Sequence, residues 1–148
     1  MSALAGTSAV PRRHSAPRAT KRWGVAVGLA QAATPLLFWW LSTATVYAIG
    51  TVGIAFIYIG FAVADGRPKV IAVESGVAAG FVVLAAVAIT GSPWLLVIAL
   101  AGHGLKDLWQ HHTHFVRGTR WWPPFCMTVD FFVAAIIAIE IATGLNFG

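Results

Sequence analysis

The sequence predicts an all-α fold, an integral membrane bundle of five transmembrane helices, and three observations predict it. Hydrophobic residues make up 58% of the 148 and charged residues only 10%. Soluble domains carry about 25% charged residues, so much of this apolar surface must face lipid. Runs of about 18 or more residues with few charges read as membrane helices, and from Trp23 to Ala64 no side chain is charged. The lysines, arginines and tryptophans, in turn, gather at the ends of the apolar runs, as the positive-inside rule and the aromatic belt require. The net charge of +5 therefore reads as attraction to anionic lipids on the cytoplasmic side, and nucleic acid is not an expected partner. A single cysteine, Cys126, excludes an internal disulfide framework and any multi-cysteine metal cluster.

Residues 1–22 are rich in Ala, Ser, Thr, Pro and Arg and contain no acid. They cannot bury enough apolar area to order themselves and read as a disordered basic cytoplasmic tail, leaving 23–148 as a single transmembrane domain. The Arg12-Arg13 pair lies too far from the apolar run for a twin-arginine signal. That run is also longer than a signal-peptide core of about 7–15 residues, so the first span is read as an uncleaved anchor.

The uncharged stretch exceeds one span of about 20 residues and divides into helices near 24–41 and 46–64, turning at Ser42-Thr43-Ala44-Thr45. Pro35 is placed to kink the first. Asp65-Gly66-Arg67-Pro68-Lys69 is a polar turn; a third helix follows near 70–90, then the Thr90-Gly91-Ser92-Pro93 turn and a fourth helix near 93–109. Residues 110–124 form the longest polar connection. Pro123-Pro124 then open a fifth helix near 125–145, where proline's missing N–H costs nothing.

Alternating directions put the tail, the 65–69 turn and the 110–124 connection on one side, with all ten lysines and arginines on that side or at its helix ends. The expected topology is N-in, C-out in the cytoplasmic (bacterial inner) membrane. Trp23, Trp109, Trp121 and Trp122 mark the basic interface and Trp39, Trp40 and Trp94 the opposite one. Gly24-x-x-x-Gly28 and Gly76-x-x-x-Gly80 offer small faces for close helix packing.

Ionisable side chains inside a membrane are costly and mark candidate functional positions. At about 1.5 Å per residue, His103 lies roughly 15 Å along the fourth helix, near the midplane, with Asp107 one turn nearer the cytoplasm. Glu74 and Asp130 enter the third and fifth helices from the same side. At about 100° per residue, His103, Asp107 and His114 share a stripe about 40° wide, with Gln110 beside it. A histidine and a carboxylate at i, i+4 can hold one metal ion, as the histidines of an H-E-x-x-H helix do, and such donors suit zinc, manganese or iron. The candidate metal residues are therefore His103, Asp107, His114, Glu74 and Asp130, with Glu74 or Asp130 also suited to act as base on a bound water. Against this stands a structural reading, in which His103 bonds a backbone carbonyl or Asp130 and Cys126 is a small packing residue.

Lys106, Arg117 and Arg120 are candidate contacts to an anionic group or lipid headgroup. Lys106 reaches the interface by snorkelling or pairs with Asp107 or Glu74. The connection around Arg117 and Arg120 reads either as an interfacial anchor or as a lid over the polar cluster. Glu140, near the far end of the fifth helix, reads as peripheral.

Gly102-His103-Gly104-Leu105-Lys106-Asp107-Leu108-Trp109-Gln110-His111, Thr119-Arg120-Trp121-Trp122-Pro123-Pro124-Phe125-Cys126 and Val129-Asp130 together resemble a pattern of small uncharacterised bacterial multi-pass membrane proteins. The resemblance covers about a fifth of the chain and implies no activity. It resembles neither the multi-histidine hydroxylases and desaturases nor the haem-bearing cytochrome b bundles. Three functional classes stay open: a metal-assisted site on the cytoplasmic side of the third to fifth helices, an accessory subunit of a homo-oligomer or larger membrane complex, and an ion or proton pathway through the same residues.

Overall fold

The computed structural model describes residues 18–145. The expected basic tail lies outside the described residues as far as residue 17, whereas Arg18 to Arg22, expected within it, are helical. Among the described residues the chain is all-helical: α1 (Arg18–Ala32), α2 (Thr34–Leu37), α3 (Thr43–Asp65), α4 (Pro68–Thr90), α5 (Trp94–Thr113) and α6 (Trp122–Thr143). Helices α3, α4 and α6 are long and apolar enough to cross a membrane. By length and composition this is a helical membrane protein. Helix α5 has the 20 residues a span needs but carries Lys106, Asp107 and three histidines, and α1 has only 15 and begins with three basic side chains.

The first expected helix, 24–41, is in fact broken. Pro35 has no N–H to give the carbonyl of Gln31, and the Thr34 hydroxyl donates to that carbonyl instead, at 2.6 Å. The Leu36 amide turns to Ala33 at 3.1 Å, which frees the carbonyl of Ala32. The Tyr47 hydroxyl from α3 donates to it at 3.0 Å. The break therefore leaves neither of these part-buried carbonyls without a donor.

Other boundaries move for local reasons. Ser42 caps α3 by accepting from the Thr45 amide at 3.2 Å, so the expected turn at 42–45 is already the helix's first turn. Helix α6 starts at Trp122, with both prolines in its first turn. Helix α5 runs a turn beyond its expected end and stops where His114 enters the left-handed region, with φ 51° and its N–H on the Gln110 carbonyl at 2.8 Å.

Helices α3 and α4 form a hairpin through Gly66, whose φ of 76° favours glycine. Helix α5 packs most extensively on α6 and also touches α4 and α3, while α1 lies against α6. Glycine permits two of these approaches. A Cβ at Gly24 would lie 2.8 Å from Cβ of Thr128, and one at Gly104 would lie 3.1 Å from the Phe131 ring. Helices α1 and α6 start at the same end, where Trp23 and Trp121 flank a shared groove. That end, which also carries the α3–α4 turn and the α5–α6 connection, is hereafter the basic end.

The connection is tied down there. Asp65 accepts from the Arg67 guanidinium at 2.5 and 2.8 Å and from the Arg117 amide at 2.7 Å, and Arg67 also donates to the Phe115 carbonyl at 2.6 Å. Val116 is thereby packed against Tyr58, Ala62 and Val70, an apolar plug at the basic end of the bundle.

Candidate metal centre

The buried stripe of α5 runs Leu96, Ala99, Leu100, His103, Gly104, Asp107 and Gln110, the i, i+3, i+4 spacing of one helical face. Facing it, α6 buries Cys126, Val129, Asp130 and Val133. Each helix thus offers a nitrogen or sulfur donor and, one turn on, an aspartate: His103 with Asp107, and Cys126 with Asp130. The four side chains converge. One ligand atom from each lies within 4.8 Å of all the others, and every one of the four residues is at most 3% exposed.

His103 Nδ1 is 2.8 Å from Asp130 Oδ2 and 3.8 Å from Asp107 Oδ2. The imidazole is held edge-on between Phe81 and Tyr58, with ring centroids 5.1 and 5.5 Å away, so its orientation is set by packing on two further helices. His103 Nε2, both carboxylate oxygens of Asp107 and Asp130 Oδ1 are buried with no hydrogen-bond partner. Leaving such atoms unsatisfied costs about 1–3 kcal/mol each, more when charged, and a native structure carries few. Four donor residues with unmet polar atoms, one ligand atom of each within 4.8 Å of the rest, are what an ion would require.

A second polar group lies alongside. The Lys106 ammonium is 2.7 Å from Glu74 Oε2 and sits 3.5 Å above the Tyr58 ring centroid, a cation–π contact. Gln110 Nε2 donates to the other oxygen of Glu74.

Of the expected ligands, the fold brings His103, Asp107 and Asp130 together. Glu74 is buried nearby but is engaged by Lys106 and Gln110. His114 stands apart, exposed at the α5 C-cap; helical periodicity put it on the stripe, and periodicity ends with the helix at Thr113. Lys106 pairs with Glu74, one of the partners expected for it. Its side chain is 12% exposed. Arg117 and Arg120 are exposed at the basic end, where the Arg117 amide donates to Asp65. Glu140 is half-buried near the opposite end and accepts from the Tyr47 hydroxyl at 3.1 Å.

Among the tryptophans, Trp23, Trp39, Trp40, Trp94, Trp109 and Trp121 are exposed, and Trp122 packs on Phe61 and Phe125. Cys126 is the residue sequence reasoning left out, and a signal for it existed. Its i, i+4 spacing to Asp130 repeats that of His103 to Asp107 on the neighbouring helix.

The chain matches no protein-family model, no curated protein and no solved structure. The functional reading rests on the site.

Proposed function

We propose that this is a membrane-embedded divalent-cation-binding protein in which His103, Asp107, Cys126 and Asp130 ligate a single ion. The observation that carries it is the convergence of four buried donors within 4.8 Å, several of their atoms otherwise unpartnered. Charge supports the same reading. Lys106 already answers Glu74, so Asp107 and Asp130 lack a fixed cation of their own, and a buried unpaired carboxylate is strongly disfavoured. An ion of charge +2 answers both. Imidazole, thiol and carboxylate in a four-donor set suit zinc best; manganese and iron(II) would use the oxygens and the nitrogen but gain less from sulfur.

In this reading five segments cross the cytoplasmic membrane, N-in and C-out, with the broken α1–α2 unit and α5 joining the three apolar helices. The gathering of Arg18, Lys21, Arg22, Arg67, Lys69, Arg117 and Arg120 at the basic end supports that orientation, with anionic lipids at that surface. A second reading is favoured by the His103–Asp130 hydrogen bond of 2.8 Å: the same residues as a polar network that only holds the bundle, or a larger complex, together.

Plasma mass spectrometry on untagged, detergent-purified protein separates the two, beside His103→Ala and Asp107→Asn. Near-stoichiometric metal lost in both variants is the expected result. Absence of metal after zinc, manganese and iron repletion, with all three proteins folded, would overturn the proposal and leave the structural network.

A further inference from the structure

The polar core contains one fixed ammonium, Lys106, and where that charge rests decides whether the metal site is open. Lys106 directly precedes Asp107 on α5 and lies within electrostatic range of Asp107, Asp130 and Cys126. A buried ammonium needs a carboxylate partner, and three carboxylates feel its charge: Glu74 on α4, Asp107 on its own helix and Asp130 on α6.

It is Glu74 that holds it, at 2.7 Å. The arrangement looks built for that choice. Gln110, one turn along α5, engages the other Glu74 oxygen and fixes the carboxylate toward Lys106. The Tyr58 ring lies under the ammonium, and the hydroxyl of the same ring is beside Asp107, so α3 supplies a spacer between cation and ligand. Asp107 meanwhile has the uncharged Tyr58 hydroxyl and Cys126 thiol beside it and no fixed cation of its own.

We propose that Glu74 is a positioning residue that detains the Lys106 ammonium away from Asp107 and so keeps the cation site available. This rests on the metal reading of the four-residue cluster. Without the Glu74 charge, Lys106 turns to Asp107, a buried carboxylate within its electrostatic range that lacks a fixed cation. A metal ion must then displace an internal ion pair to bind. Without both charges the competitor is gone, the net charge of the core is unchanged, and the site reopens. Glu74 therefore acts on the metal through Lys106, and its effect vanishes when Lys106 is neutral.

The test is zinc affinity by chelator competition on the purified full chain. The proteins compared are the wild type, Glu74→Gln and the double variant Glu74→Gln/Lys106→Met, each checked for a monodisperse, cooperatively melting bundle. Glu74→Gln is expected to weaken zinc by about tenfold or more, the scale of a close buried charge pair, and the double variant to return to within about threefold of wild type. If the wild type binds no zinc, the metal reading itself fails. If the wild type binds and Glu74→Gln binds equally well, the metal reading stands and the detaining role is overturned. A double variant as weak as Glu74→Gln also overturns it, since a structural role for Glu74 would not be rescued by removing Lys106. Should Glu74→Gln fail to fold, Gln110→Leu, which loosens Glu74 while keeping both charges, takes its place; weaker zinc binding is expected and unchanged binding overturns the proposal.

Discussion

The two halves of the bundle use the same helix faces under opposite rules. Away from the basic end, Tyr47, Ala85, Leu96, Leu100, Val133 and Ile137 belong to one apolar core drawn from α3, α4, α5 and α6. One turn along α5 toward the basic end, the same stripe becomes His103, Asp107 and Gln110. Among the described residues, every buried side-chain nitrogen or oxygen without a hydrogen bond lies in that second half. The apolar half is held by packing and has no unmet demand. The polar half costs stability, and the cost is tolerable because the apolar half and the plug around Val116 hold the helices in place on either side. Buried ionisable groups inside a membrane bundle are the expected mark of function on these grounds.

Opposite responses to charge would sharpen this contrast most. Val133 is fully buried in the apolar half, so Val133→Asp inserts a carboxylate with no partner. A loss of about 3–5 kcal/mol or more is expected, read as aggregation or loss of a melting transition in detergent. Asp107→Asn in the metal-free protein removes a charge that has no hydrogen bond, and its melting temperature should hold or rise while metal binding is lost. A fall as large as that of Val133→Asp would break the comparison, by showing that Asp107 is structural.

Next in size is Leu100→Ala, at a position 1% exposed. Truncating a close-packed core leucine costs about 2–5 kcal/mol, and equilibrium unfolding in mixed detergent should report it with metal content unchanged. If metal stoichiometry falls as well, the two halves are not independent. The smallest effect belongs to Tyr47→Phe, which keeps the ring and deletes the hydroxyl that serves Ala32 and Glu140. A loss of about 1 kcal/mol is expected, with faster amide exchange confined to the α1–α2 break. Exchange that quickens throughout α5 instead would mean that this small polar contact props up the whole bundle.

Much of the fold was legible because lipid imposes a simple rule: apolar runs of sufficient length become helices. The runs at 46–64 and 70–90 correspond closely to α3 and α4. In the first span the disturbance at Pro35 was legible but the full break was not, since compensation by Thr34 and by Tyr47, from a different helix, leaves no trace in the local pattern. The two glycine motifs make the same point. Gly24 is pressed against Thr128, and Gly28 against Phe132, whereas a Cβ at Gly76 or Gly80 would meet nothing within 4 Å. Identical spacing, one contact made and one not.

By itself, then, the sequence determined the helical membrane class, the end at which positive charge gathers, and the pairing of His103 with Asp107, because hydrophobicity, charge and helical period are properties of a single segment. Only the tertiary structure decided which residues share the site. It brought in Cys126, turned Glu74 toward Lys106 and left His114 outside. The reason is physical: a cluster is a relation between helices, set by which faces pack and how closely, and one helix's periodicity carries no information about its neighbour's register.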